Sequence, residues 1–386
     1  NYSMLSIAGS SVVKDLIKFA VTARDGSTYC FGNAGSIYAI AGNPKDPVFS
    51  FLKNDENGEI KGAAEWKLDT GLNYLMWCTN TCVARAQLNG SLPVPWAAGT
   101  AAQNYKVTLD SADYHPMKNA AGNLCIGNNN FIATYGYDGA WNNASMNLRP
   151  GNKIRCLEER DDYVLIGSER VDTAEEGHIW SWITTALNWV QKKKIPVRGI
   201  NALIDTERLL LQGGTSGEIF YSDFSNTAPL NSIPDGGQCN SQVDCYNDLA
   251  IMGIYGAGDR SGIYSYGRKM MNRPFALNHE FRLSPTVAGN TLKEIGAVWM
   301  ASSAVFASWK VVQGANTFYG VDMCSTSQRA RARYEGLEFT AGQPHERKTL
   351  SSVKLAMQQL PTGCSINILY KQDRQTTGGS SSAGAG

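Results

Sequence analysis

The stretch Asp162-Tyr-Val-Leu-Ile-Gly167, followed after a polar gap by Gly177-His-Ile-Trp-Ser-Trp182, indicates a hairpin of two apolar strands. The same pattern recurs in Glu207-Arg-Leu-Leu-Leu-Gln212, a Gly-rich turn at 213–217, and Glu218-Ile-Phe-Tyr-Ser222. A two-stranded hairpin cannot bury both of its faces alone. A chain that repeats this hairpin is therefore expected to stack the copies against each other.

Similar hairpins can be aligned along most of the chain on the apolar residue that opens the second strand. This residue recurs at intervals of roughly 40 to 55 residues, at Ile37, Val83, Ile132, Ile179, Ile219, Ile263 and Phe318. Upstream of each lies another apolar run, from Ile17–Thr22 before the first to Val305–Val312 before the last. Units of this length, with room for three or four short strands, are typical of a β-propeller. We therefore predict an all-β fold in which residues 1–325 form a propeller of about seven blades, with the five isoleucines at equivalent buried positions.

Two segments have the pattern expected where one blade ends and the next begins. Ile195-Pro-Val-Arg-Gly-Ile-Asn-Ala202 reads as the end of an outer strand, a crossover and the next inner strand, and Leu148–Cys156 has the same order. The stretches 180–194 and 351–359 are the candidate helices, although the first is rich in Trp and β-branched residues.

The composition favours sheets and a neutral surface. Gly 39, Tyr 17 and Trp 9 are high for 386 residues, and only 18% of residues are charged. Lys+Arg 35 against Asp+Glu 34 leaves a net charge of +1, so no overall field would draw the chain onto nucleic acid or an anionic membrane. No apolar run approaches the ~20 residues of a membrane-spanning helix.

Nine cysteines leave several alternatives open. The close pairs Cys78–Cys82 and Cys239–Cys245 could indicate a zinc site or disulfides. Cys30, Cys125 and Cys156 instead lie inside apolar strand runs, where a free thiol acts as a small hydrophobe. We expect buried free thiols and no structural metal, which fits assembly in a reducing cytoplasm.

The side chains that could carry chemistry form no recognised catalytic arrangement. None of His115, His178, His279 and His345 has the spacing of a metal motif. The acidic pairs 158–159, 161–162 and 175–176 are adjacent residues, which a strand would direct to opposite faces rather than across a cleft. Tyr137-Asp-Gly-Ala-Trp141 is close to the repeated turn of propeller sialidases but occurs once and lacks its leading Ser. We therefore assign no catalytic, cofactor-binding or metal-binding residue.

The aromatic side chains allow two interpretations. Trp66, Trp77, Trp96, Trp141, Trp180, Trp182 and Trp189 would stack on sugars if they stood on exposed loops. At alternate strand positions they would instead pack between blades, which we consider the better interpretation.

The pattern changes after about residue 325. Residues 326–372 contain strand-like runs joined by the turn Leu360-Pro-Thr-Gly363 and predict a partial β-sandwich-like domain. The basic segment Arg329–Arg333 is interpreted as a solvated linker rather than a nucleic-acid patch. Residues 373–386 are rich in Gly and Ser and predict a flexible linker. With Asn rather than Met at position 1, we expect the chain to be part of a larger product.

Several sequence segments together resemble structural proteins of tailed bacteriophages. They are Ile132–Trp141, Leu148–Leu157, Asp161–Gly167, Leu350–Leu355 and Leu360–Lys371. In those proteins a degenerate propeller is followed by a β-sandwich. The resemblance covers about residues 120–372, and its motifs specify structure rather than a catalytic site.

This resemblance implies a non-enzymatic virion component of the tail, tail tip or fibre, assembled in the host cytoplasm. Its expected partners are other virion proteins in a symmetric homo-oligomer, with a host-surface glycan as a possible ligand. A lectin-like propeller and a propeller glycoside hydrolase are the alternatives. The lectin would expose Trp or Tyr on equivalent loops, and the hydrolase would direct carboxylates into the central channel.

Overall fold

A computed structural model gives the architecture of the chain, which divides into two compact units, Asn1–Ala332 and Arg333–Gly386. Each unit is described by itself. The residues that the structure describes are 2–24, 26–43, 46–55, 58–88, 109–172, 176–233, 235–246, 248–268, 272, 274–284, 291–301, 304–329, 365–370 and 379–384.

Seven antiparallel sheets make up the first unit, so the fold is a seven-bladed β-propeller, as predicted. Within a blade the strands pair in chain order, first to fourth, through tight turns. Blade 1 consists of β2 (Ile17–Thr22), β3 (Thr28–Gly32), β4 (Ser36–Asn43) and β5 (Asp46–Asn54). The described strands of blade 2 are β6 (Gly62–Lys67), β7 (Asn73–Cys78) and β8 (Val83–Leu88).

The next four blades each show four strands. Blade 3 has β9 (Met117–Ala120), β10 (Asn123–Asn128), β11 (Phe131–Gly136) and β12 (Trp141–Asn147). Blade 4 has β13 (Asn152–Arg160), β14 (Tyr163–Arg170), β15 (Gly177–Ile183) and β16 (Gln191–Ile195). Blade 5 has β17 (Ile200–Asp205), β18 (Leu209–Gly213), β19 (Glu218–Ser222) and β20 (Thr227–Ser232). Blade 6 has β21 (Asp244–Tyr246), β22 (Leu249–Ile254), β23 (Gly262–Gly267) and β24 (Ala276–Phe281).

Blade 7 closes the ring by combining the two ends of the propeller. It contains β25 (Thr291–Ala301), β26 (Ala304–Gln313) and β27 (Asn316–Arg329), and its outermost strand is β1 (Tyr2–Ala8). The hydroxyl of Ser10 secures this closure, because it donates to the carbonyl of Tyr319 and accepts from the Tyr319 amide. The first strands of the blades contact one another around the axis, and β25 meets β2.

The predicted repeat is confirmed at the level of individual residues. Ile37, Ile132, Ile179, Ile219 and Ile263 all lie on the third strand of their blades, and each is fully buried. Val83 holds the same place in blade 2. The aligned residue of blade 7, Phe318, differs because the hairpin of β26 and β27 is long. Phe318 stands near its tip and is 37% exposed, and the buried residues of this strand, which include Val321, lie further along at 320–323.

The first repeat unit also differs from the prediction in one respect. Ile17–Thr22 is the first strand of blade 1, whereas the corresponding runs of blades 2–6 contain second strands. Both predicted crossovers are confirmed, since β16 ends at Ile195 before β17 begins at Ile200, and β12 ends before β13 begins at Asn152. The candidate helix at 180–194 is absent, because this range contains the end of β15 and the start of β16.

Glycines on second strands let neighbouring blades approach closely. A Cβ on Gly167 would lie 2.9 Å from Cγ2 of Ile200 in blade 5, and one on Gly253 would lie 2.6 Å from Cγ2 of Ile295 in blade 7. Gly127 has the same relation to Ile154 in blade 4, at 2.9 Å. The inner strand of one blade therefore packs directly on the backbone of the blade before it.

In the second unit the structure describes one antiparallel pair, β28 (Ser365–Tyr370) with β29 (Gly379–Gly384). Strand β29 lies within the range predicted as a linker. The sandwich-like domain stays a prediction, and the candidate helix at 351–359 lies outside the described residues.

Candidate interaction surfaces and the central channel

The first strands of blades 3–6 bring charged side chains of neighbouring blades together. Lys118 on β9 forms a 2.6 Å ion pair with Glu158 on β13. Arg160, at the end of β13, lies 3.6 Å from the carboxylate of Asp205 at the end of β17. These pairs link three successive blades.

Asp244 on β21 adds a third carboxylate to this group. It accepts hydrogen bonds from the backbone amides of Met300 (2.8 Å) and Cys245 (2.7 Å). Burial raises the pKa of Asp244, although these two hydrogen bonds oppose the shift. Burial also raises the pKa of Asp205, although the positive charge of Arg160 opposes it. The nearby carboxylate of Glu158 raises the Asp205 pKa further.

The thiol of Cys245 lies beside these carboxylates. The Cys245 residue is exposed, but desolvation by the surrounding protein, together with Glu158 and Asp244, raises the pKa of its thiol to about 12, so the thiol stays protonated at neutral pH. Its sulfur lies 3.7 Å from the carbonyl oxygen of Asp205. A protonated thiol is a weak nucleophile. Glu158 pairs with a lysine and Asp244 accepts from backbone amides, whereas Asp205 has the 3.6 Å ion pair with Arg160 and its buried Oδ1 accepts no hydrogen bond.

The acidic pairs 158–159 and 161–162 lie as the sequence suggested, but the residues around Glu158 were not foreseen. Glu175, of the third pair, lies outside the described residues. Glu158 pairs with Lys118, whereas Glu159 is exposed and accepts from the amide of Ala121. Asp161 and Asp162 are exposed in the following turn. Sequence reasoning did not bring Glu158 together with Asp205 and Asp244. The available signal was an acidic residue on the first strands of three consecutive blades.

The histidines occupy separate places in the fold. His115 is fully buried and bridges blades 2 and 3, with Nδ1 2.8 Å from the Gly127 carbonyl and Nε2 3.0 Å from the Asn80 carbonyl. His178 lies on β15 beside Trp180, and His279 stacks on Tyr264 at 4.8 Å. His345 lies outside the described residues.

Most of the tryptophans pack inside the propeller. Trp66, Trp77, Trp180 and Trp182 are buried, which confirms the packing interpretation for them. Trp141, the first residue of β12, follows the turn that joins the third and fourth strands of blade 3, and Trp189 lies on the equivalent turn of blade 4. Both are partly exposed. Tyr137, on the first of these turns, is 49% exposed. Trp96 lies outside the described residues.

The cysteines in the described part of the chain are free thiols, so the alternative of a Cys239–Cys245 disulfide is not formed. Cys239 is buried and its sulfur contacts the amide oxygen of Gln212 at 3.3 Å. Among the described residues, no group of three or more His, Cys, Asp or Glu side chains could hold a metal ion. No helix in the same ranges is long and apolar enough to cross a membrane.

The outer strands of the blades differ in how they protect their free edges. An unpaired edge invites another strand to add, and proteins commonly block it with Lys, Pro or other polar residues. Strand β16 carries three lysines, β20 contains Pro229, and β12 and β24 carry exposed asparagines.

Strand β5 has no such protection at its centre. It runs for nine residues, and its middle is the sequence Val48-Phe-Ser-Phe-Leu52. Val48 is 56% exposed and Phe51 is 50% exposed. Among the described side chains of the outer strands, Val48 and Phe51 are the large apolar ones that are at least half exposed. Strand β1, the outer strand of blade 7, also lacks Lys and Pro, but its described apolar side chains are buried or partly buried.

Comparison with solved structures supports the fold. The chain superposes on the WD40 β-propeller domain of Doa1 with a TM-score of 0.54 at 12% identity, covering 86% of this chain and 100% of that one. It superposes on the structure of U3-55K with a TM-score of 0.56 at 10% identity, covering 83% and 98%. It superposes on YCF48, solved with a D1 peptide bound, with a TM-score of 0.53 at 10% identity, covering 86% of this chain and 97% of that one.

No protein-family model matches the chain, and no curated protein sequence matches it significantly. At such low identity the structural likeness establishes the architecture alone. The first unit of this chain is thus a seven-bladed β-propeller with WD40-like structural neighbours.

Proposed function

We propose that this chain is a non-enzymatic structural component of a tailed-phage virion, in the tail, tail tip or fibre, where the propeller serves as a rigid protein-interaction disc. The assignment to a virion is motivated by the resemblance of the sequence. The observation that carries the interaction role is the unprotected apolar edge of β5. A propeller with one such edge is suited to join another β-sheet.

The partner that best fits this edge is a second copy of the same strand. Paired antiparallel about Ser50, two β5 strands would place Val48 opposite Leu52 and Phe49 opposite Phe51. Pro47 of one copy would stand opposite Lys53 of the other, so the two residues that interrupt the edge lie towards the ends of the pairing. Contacts of this kind repeat across a two-fold axis, as in most homo-oligomers.

Sedimentation velocity tests this role directly. We expect the unaltered chain to self-associate and the Val48→Lys/Phe51→Lys variant to sediment as a monomer. Leu187→Lys is the matched control, because Leu187 is 89% exposed on a blade 4 turn and its charge should leave association unchanged. A monomeric unaltered chain, or a variant that associates as strongly as the parent, would contradict the proposal.

A host-surface glycan receptor or glycoside hydrolase is the second candidate function. Partly exposed aromatics on equivalent turns of blades 3 and 4, Tyr137 with Trp141 and Trp189, favour glycan contact. The carboxylates of Glu158, Asp205 and Asp244 are the residues a hydrolase would use. Binding to immobilised polysaccharides that Tyr137→Ala abolishes would support the receptor, and cleavage that Glu158→Gln abolishes would support the hydrolase.

A further inference from the structure

Two cations on the rim of blade 4 lie over tryptophan rings. The ammonium of Lys192 on β16 lies 4.6 Å from the ring centroid of Trp180. The guanidinium of Arg149, in the crossover from blade 3, lies 6.0 Å from that of Trp189. The two rings meet edge to face at 5.2 Å, so both cations belong to one cluster.

These two cations lack a carboxylate partner within the described ranges, although their neighbours have one. Lys194 is bound by Glu176, and Arg170 pairs with Asp172 at 2.6 Å. Burial lowers the pKa of Lys192, and the positive charges of Arg149 and Arg170 lower it further. Positive charge is therefore in local excess at this cluster.

His178 supplies a third, independent observation that points to a ligand at this cluster. Its side chain lies on the same face of β15 as Trp180, and the residue pairs in register with Lys194. The residue is 2% exposed, and its buried Nδ1 has no hydrogen-bond partner. A buried polar atom without a partner carries a free-energy penalty, which a bound group could remove by accepting a hydrogen bond.

The lysines of β16 could instead serve only to protect the edge of the blade. Protective lysines extend into water, however, whereas Lys192 folds back over Trp180 and is partly buried. Two exposed apolar residues, Leu187 at 89% and Val190 at 47%, precede the strand. An edge that combines cations with apolar side chains suits an extended acidic segment, whose backbone pairs with the strand while its carboxylates meet the cations.

We propose that Arg149, His178, Trp189 and Lys192 form a site that binds a carboxylate of an acidic segment of a partner protein. This inference rests on the proposed interaction role, since it names a second surface of the same disc and the chemistry of its partner. The backbone edge of β16 would pair with the backbone of the segment, and the cations of the cluster would bind its carboxylate.

Fluorescence anisotropy with a labelled hexaglutamate peptide tests the site. We expect binding that weakens as salt is added, and a Kd that rises about five- to tenfold in Lys192→Gln and in Arg149→Gln. Lys193→Gln is the matched control. It removes the same charge from the same strand, but Lys193 lies on the opposite face and donates to the Ser225 carbonyl.

Three results would overturn the inference. The peptide could fail to bind, Lys193→Gln could weaken binding as much as Lys192→Gln, or an oligogalacturonate could bind through Lys192 while the peptide does not. The last result would assign the site to a glycan. The peptide assay does not depend on assembly of the discs. A chain that stays monomeric would therefore refute the proposed function but not this site. A chain that self-associates but does not bind the peptide would refute this site but not the proposed function.

Discussion

Substitution of Gly167 by Ala tests the packing that joins the blades. The added Cβ would lie 2.4 Å from the sulfur of Cys156 and 2.9 Å from Cγ2 of Ile200. Cys156 shares the blade of Gly167, and Ile200 belongs to the next blade. Both are buried, so neither can move away without displacing further core side chains.

Overpacking of this kind usually costs about 1 to 3 kcal/mol of unfolding free energy. We expect Gly167→Ala to fall in the upper part of this range, because it clashes within its blade and with the next one. Urea unfolding followed by tryptophan fluorescence measures the change. Cys156→Ala in the Gly167→Ala background should recover part of the loss, since the sulfur is the nearest atom.

Gly9→Ala is the matched control. No atom lies within 4 Å of the Cβ that this change would add, so it should alter stability by less than about 0.5 kcal/mol. If Gly167→Ala were as stable as the parent, the close packing of Gly167 against Cys156 and Ile200 would be incorrect. If Cys156→Ala gave no recovery, the contact within blade 4 would not be a source of the loss.

Three further predictions follow from buried side chains. Ile219→Asp should prevent folding of blade 5 or cost more than about 4 kcal/mol, because it leaves an unpaired charge in the core, and a near-normal melting curve would contradict this. Burial lowers the pKa of His178 to about 4, below its ordinary 6.5, so its contribution to stability is present above pH 6.5 and is lost as the pH falls towards 4. That loss amounts to at most about 3 kcal/mol, and stability curves of His178→Gln should be flatter across this window. Elemental analysis should find no stoichiometric zinc, whereas zinc lost on substitution of Cys78 or Cys82 would overturn our interpretation of the cysteines.

Much of the propeller could be predicted because its signals are local. Each hairpin is predicted by apolar runs, Gly turns and a third-strand residue such as Ile179 or Ile219, all of which lie within one blade. The crossover at 195–202 was equally readable, because Pro196 and Gly199 separate two strand patterns. These features need no knowledge of distant contacts.

The closure of the ring could not be predicted in the same way. Strand β1 pairs with β27, more than 300 residues away in the chain, and no local pattern indicates such a partner. The displaced alignment at Phe318 has another cause, since the β26–β27 hairpin extends past the part that pairs with β1, to the turn between Gln313 and Asn316.

The candidate surfaces were also beyond the sequence. Glu158, Asp205 and Asp244 come from three blades, and only the register of the first strands brings them together. Val48 and Phe51 have the same apolar character as buried strand residues, so their exposure becomes evident only once β5 is known to be an edge. Composition describes how apolar a strand is but not which of its sides is covered.

Electron cryomicroscopy of the assembly formed by the purified chain tests the central claim most directly. The account predicts symmetric particles in which seven-bladed discs meet through blade 1, with β5 of one copy beside β5 of another and an interface above about 1,000 Å². Discs that stay single, with the β5 edge facing solvent, would contradict it.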